Sequence, residues 1–141
     1  MDWLKKKEIK GGENMEPIKV VSFGHRVPQE IRGQIQKQYP GAHFLEVPFT
    51  LDMGQPLLSQ IEICLKTVMP AGDEVPFIIL PGVSVAAALI VVIIHGLLGR
   101  FPFIIELTKK TGARWQWKLK AVHDLDLIRN NSRQKRFENK K

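Results

Sequence analysis

The stretch that most constrains this chain is PFIILPGVSVAAALIVVIIHGLLGRFP, from Pro76 to Pro102. A run this apolar has two physical outlets, a membrane span or a buried element of a packed core. Pro81-Gly82 breaks it after a short strand, Phe77 to Leu80, and the helix that follows, Val83 to Leu98, is short for a span and carries Ser84 and His95-Gly96. The spacing therefore predicts a strand, a tight turn and a central helix that is buried or packs across a dimer interface. Small residues at the turn let backbone N–H groups and a helix N-terminus face an anion. A second polar turn, Ser22-Phe23-Gly24-His25-Arg26, follows an earlier strand. Two such turns at the carboxyl ends of parallel strands are how an α/β sheet builds a site for a phosphorylated ligand.

The rest of the chain alternates in the same way. Ile18 to Phe23 reads as the first strand. Pro28 to Tyr39 reads as a helix, with Pro in its first turn and Ile31 and Ile35 four apart. Ala42 to Val47 is a second strand, and Pro56 to Met69 a second amphipathic helix with Leu57, Leu58, Ile61, Leu65 and Val68 on one side. After the apolar helix, Phe101 to Leu107 and Arg114 to Val122 form an antiparallel pair, with Trp115 and Trp117 sharing a face. Asp124 to about Arg136 is a final basic helix with Leu125, Ile128 and Ser132 expected on its inner side. The order β-α-β-α-β-α-β-β-α specifies an α/β, Rossmann-like domain. Its mostly parallel sheet is flanked by helices and ends in a C-terminal β-hairpin and a basic helix. The glycine fingerprint of dinucleotide sites is absent, so no dinucleotide cofactor is expected, and no other cofactor is expected either.

At 141 residues the chain is one domain. Residues 1–15 read as a flexible leader, 16–136 as the ligand-binding domain and 137–141 as a basic tail; Met15, just before the first strand, is a second candidate start. The net charge of +7 is uneven. Residues 15–108 carry −2, whereas residues 109–141 carry +8, from eleven basic groups against Asp124, Asp126 and Glu138. That segment either attracts polyanions such as RNA or keeps the chain in solution. The single Cys64 lies in an apolar helical pattern and reads as a small buried hydrophobe. Residues 1–14 hold no secretory pattern, so a cytoplasmic protein outside the membrane is expected.

Few residues are equipped for chemistry. His25, beside Arg26, is either a solvated turn residue or a phosphate ligand and general base. His43 reads as a strand-end polar group, His95 as buried and bonded to backbone, and His123 as part of the cap where the last strand becomes a helix. No His pair has metal-ligand spacing and there is no second Cys, so no metal site is expected. Ser84 either caps the apolar helix or donates to a phosphate. GVSVA carries Ala86 where a nucleophile elbow needs its second Gly, which argues against a serine hydrolase. Arg100 reads as structural, and Arg129 and Arg133, four apart, as one basic face.

SFGHRVP after strand one, PFIILPGVSVAAAL, HGLLGRFPFIIEL and LDLIRNNSR together resemble the small proteins of type III CRISPR loci grouped with the ring nucleases and CARF-like cyclic-oligoadenylate binders. The likeness spans residues 18–136. One departure is that Gly24 separates Phe23 from His25, where the family pattern is Ser-His-Pro-like. The resemblance implies a cyclic oligoadenylate ligand, with cyclic tetra-adenylate favoured, and a homodimer or higher homo-oligomer sharing the ring. No DNA partner is implied. Ser22, Phe23, Gly24, His25 and Arg26 on one wall and Pro81, Gly82, Val83 and Ser84 on the other would bind the ligand. His25 and Arg26 would carry any metal-independent ring cleavage, the alternative to simple sequestration. A different class of reading is an RNA-binding module that uses the basic C-terminal segment.

Overall fold

In the computed structural model, which describes residues 17–70, 72–110, 112 and 116–139, five strands and four helices alternate as the sequence pattern requires. They are β1 (Lys19–Phe23), α1 (Gln29–Gln38), β2 (His43–Val47), α2 (Leu57–Val68), β3 (Phe77–Ile79), α3 (Ser84–Leu98), β4 (Phe103–Lys109), β5 (Trp117–Asp124) and α4 (Leu125–Glu138). The strand order is β2-β1-β3-β4-β5. β1, β2, β3 and β4 are parallel, and β5 runs antiparallel beside β4. The domain is Rossmann-like α/β. The expected leader, residues 1–15, lies outside the described residues, as does Trp115.

Helix placement follows from connection handedness. The β1-to-β2 step moves one way along the sheet, and the steps from β2 to β3 and β3 to β4 move the other way. Right-handed crossovers then put helices on opposite faces. One core packs α1 through Ile31 and Ile35 against Val20, Phe77, Ile79, Phe103 and Ile105. The other packs α2 and α3 through Ile61, Leu65, Ile90 and Ile94 against Val21, Phe23 and Ile78. Because β1 and β3 are covered on both faces, their apolar residues run continuously instead of alternating. The direction of travel reverses between β1 and β3, which makes their carboxyl ends the switch point where ligands of such sheets bind.

Three expectations about helices are corrected. Val83, not Ser84, takes the N-cap position of α3, and no side chain caps that helix; Ser84 is its first helical residue and is exposed. His95 is half-buried with its ring centroid 4.2 Å from that of Phe101, rather than buried against backbone. The third concerns α4, where Leu125, Ile128 and Ser132 do not form an inner side. Leu125 is half-buried, Ile128 is 47% exposed, and the Ser132 hydroxyl donates back to Ile128 O at 2.9 Å. The reason is topological. β5 ends opposite the start of β4, with Asp124 facing Phe103, and α1 already occupies one sheet face and α2 with α3 the other. Among the described residues the helix is bonded to the rest of the domain at its root, where Asp124 accepts from Leu127 N and Asp126 takes Arg100 Nε at 3.1 Å and Phe101 N at 3.2 Å. Beyond that turn every described residue of α4 is exposed, and the helix runs to Glu138, past the expected start of the tail. Among the described residues no helix is long and apolar enough to cross a membrane.

Candidate functional site

β3 stops at Ile79, while β4 continues to Lys109. The last β3–β4 pair is Ile78 with Ile104, so β4 beyond that point pairs with β5 alone. A hollow of about 580 Å³ opens over the end of β3. Its floor is Ile79 and Leu80. The loop after β1 supplies Ser22, His25 and Arg26 on one side, and the β4–β5 hairpin supplies Glu106, Trp117 and His123 on the other. A second hollow of about 490 Å³ lies across the same loop, between Arg26 and Phe49, so His25 and Arg26 stand on a ridge between two cavities.

The ridge is built from its own sequence. The buried Ser22 hydroxyl donates to His25 O at 2.8 Å, and Gly24 N–H donates to Val47 O at 2.9 Å. Glu46 of β2 accepts from Val27 N at 3.2 Å and pairs with Arg32, whose Nε donates to Val27 O at 3.1 Å. These bonds tie the loop to its own backbone, to β2 and to α1. The side chains of His25 and Arg26 are exposed and make no hydrogen bond or ion pair among the described residues. Gly24 has φ +79, and a Cβ there would stand 3.4 Å from the Phe49 Cβ. An L-residue in that left-handed region loses about 1–2 kcal/mol. Gly24→Ala is accordingly expected to lower the urea midpoint by the equivalent of roughly 1 kcal/mol, with the slope unchanged.

The expected site residues separate on this geometry. Ser22, His25 and Arg26 line the cavity. Phe23 does not. It is fully buried on the opposite sheet face, edge-on to Phe49 with centroids 5.5 Å apart, because side chains alternate along β1. Gly24 gives its N–H to backbone, so that amide is not free for an anion. Pro81 is buried, and Gly82, Val83 and Ser84 are exposed at the same sheet edge but outside the cavity lining, which ends at Leu80. Cys64 is half-buried on α2, where burial pushes its thiol pKa up.

The hairpin wall was not legible as a site. His123 Nε2 lies 2.7 Å from Glu106 Oε1, and Lys120 Nζ lies 3.2 Å from Glu106 Oε2. Glu106 faces Ala121 across the ladder, and Leu107 faces Leu119, so Lys120 is the extra residue of a β-bulge. Without the bulge, Lys120 would point to the face opposite Ala121. The hydrogen bond from His123, and then that from Lys120, hold the Glu106 carboxyl below the usual carboxylate range, so it is ionised at neutral pH. Trp117 is 39% exposed, with Lys109 Nζ 5.8 Å from its ring centroid. Alternation along the strand places Trp117 on a face but does not say what that face meets. Pairing Glu106 with His123, 17 residues away, needs the register.

No protein-family model, curated protein or solved structure matches this chain.

Proposed function

We propose that the protein binds cyclic oligoadenylate, with cyclic tetra-adenylate favoured, as a homodimer, and damps type III CRISPR second-messenger signalling by holding the ring. The observation that carries the reading is the composition of the switch-point cavity: a ridge of His25 and the guanidinium of Arg26 across from an exposed indole, Trp117. Guanidinium groups pair phosphate oxygens, and indole rings stack on purine bases. The sequence resemblance points to the same ligand class. A cavity of about 580 Å³ is of ordinary ligand-site size and accommodates part of a four-nucleotide ring. A two-fold symmetric ring suits an isologous dimer that presents the same ridge twice. α3 carries no Asp, Glu, Lys or Arg and leaves Val85 and Val92 58% and 65% exposed, an apolar surface for contact between copies.

The test is equilibrium retention of labelled cyclic tetra-adenylate by the full chain. Retention at micromolar protein is expected, with linear tetra-adenylate bound more weakly. Absence of retention ends the reading.

A second reading rests on α4. Arg129, Arg133 and Arg136 recur at helical spacing along a helix that stands clear of the domain, a surface suited to an RNA backbone. On this reading, linear RNA is bound with a steep salt dependence. Replacing Arg129 and Arg133 by Ala would then reduce the slope of log affinity against log salt by about 1.4, two single-strand phosphate contacts. Ring retention would be unaffected.

A further inference from the structure

The hollow on the far side of the ridge is lined differently from the switch-point cavity. It has a volume of about 490 Å³ and lies where the loop after β1 meets the end of β2 and the loop that follows it. His25 and Arg26 border it with side chains that make no hydrogen bond or ion pair among the described residues. Glu46, near the end of β2, adds a carboxylate. Its Oε2 accepts from Val27 N and its Oε1 from Arg32, so the group is fixed in place, yet its side chain is 32% exposed. Each carboxylate oxygen has a further acceptor position left. Phe49, half-buried with its ring edge-on to Phe23, and the exposed Thr50 complete the lining. The turn is closed as an amide cradle at Gly24, whose N–H goes to Val47 O, at Val27, whose N–H goes to Glu46, and at Pro28, which has no N–H. The hollow therefore suits one phosphate held by side chains rather than a pyrophosphate laid on backbone amides.

We propose that this hollow is a separate site for a free ribonucleoside 5′-monophosphate. The Arg26 guanidinium pairs with the phosphate, and His25 beside it adds a ring nitrogen. Glu46 accepts from the 2′- and 3′-hydroxyls of the ribose, and the base lies against Phe49. A carboxylate at the end of a strand reads a ribose in this way because a vicinal diol brings two O–H donors to its two oxygens. That chemistry sets the ligand apart from the ring. A ribose within a 3′,5′-linked ring has its 3′-oxygen in a phosphodiester and offers a 2′-hydroxyl alone. A 2′-deoxynucleotide offers a 3′-hydroxyl alone, and inorganic phosphate has neither diol nor base. Among the described residues the two cavities share His25 and Arg26, whereas Glu46, Phe49 and Thr50 border only this one. The inference goes beyond the ring-binding reading and does not depend on it.

The experiment is equilibrium dialysis of labelled adenosine 5′-monophosphate against the full chain, with no ring present. Saturable binding at submillimolar ligand is expected. The 2′-deoxy form should bind about tenfold more weakly, the loss of one hydrogen bond to a charged acceptor, and inorganic phosphate more weakly still. Glu46→Gln should abolish most of the gap between the ribose and deoxyribose forms, because a carboxamide keeps one acceptor oxygen and turns a donor toward the other hydroxyl. Thr50→Trp, a change at an exposed residue that fills the hollow, should lose the mononucleotide with its thermal midpoint unchanged. That variant keeps the test standing should Glu46→Gln lose its fold. Its retention of cyclic tetra-adenylate should match wild type. No saturable binding of the mononucleotide by wild type overturns the inference, as does equal binding of the 2′-deoxy form. Wild-type affinity in Thr50→Trp overturns it too. Loss of ring and mononucleotide together in Thr50→Trp would make the hollow part of the ring site and also overturns it. A wild type that binds the mononucleotide but retains no ring removes the ring-binding reading and leaves this one standing.

Discussion

Arg26→Glu is expected to weaken retention of cyclic tetra-adenylate by roughly 100-fold while leaving the thermal midpoint almost unchanged. A hydrogen bond to a charged group contributes about 1.5–3 kcal/mol, which is roughly 10- to 100-fold in affinity. Reversing the charge adds repulsion from the same phosphate. The fold should not register the change, because Arg26 is exposed and its side chain makes no hydrogen bond or ion pair among the described residues. Arg26→Lys should fall between wild type and Arg26→Glu, since an ammonium keeps the charge but not the planar fork. Equilibrium binding beside a melting curve separates the two quantities. Unchanged affinity in Arg26→Glu would remove the ridge from the ligand site.

The opposite result is expected one turn earlier in the chain. Phe23→Ala should cost about 3–5 kcal/mol, the range for emptying an aromatic from a packed core. A domain of this kind holds only about 5–15 kcal/mol in total, so partial unfolding at room temperature is a realistic outcome. Phe23 is fully buried, out of reach of the solvent that surrounds Arg26. It packs in the core built by α2 and α3 and meets Phe49 edge-on. Phe23→Leu, which keeps most of the volume, should cost far less and leave ring retention intact. Urea titration monitored by circular dichroism measures both. A Phe23→Ala protein with wild-type stability and lost ligand binding would return Phe23 to the binding residues.

These neighbours were grouped together in the sequence because SFGHR is one continuous polar-looking turn. In three dimensions it is two things. Ser22 and Phe23 still belong to β1, where alternation sends the hydroxyl toward the cavity side and the ring into the opposite core. Only His25 and Arg26 have left the strand. The distinction depends on where β1 stops pairing with β2, at Phe23 opposite Val47. Composition shows no such boundary. The same limit applied to α4. Its Leu125 and Ile128 have helical spacing that suits a buried side, but burial requires an uncovered sheet face, and none was left.

Local chemistry was enough to determine the order of elements, the break at Pro81-Gly82, the parallel sheet with its antiparallel last strand, and the turn that carries His25 and Arg26. Apolar periodicity and Pro/Gly punctuation act within a few residues, so they can be read along one chain. Tertiary structure alone decided that the apolar ledge beyond β3 becomes a cavity, that a bulge brings Lys120 to Glu106, and that Glu106 meets His123. Each of those depends on strand register and strand length. Register is settled by the packing of whole faces, and no short window of residues contains that information.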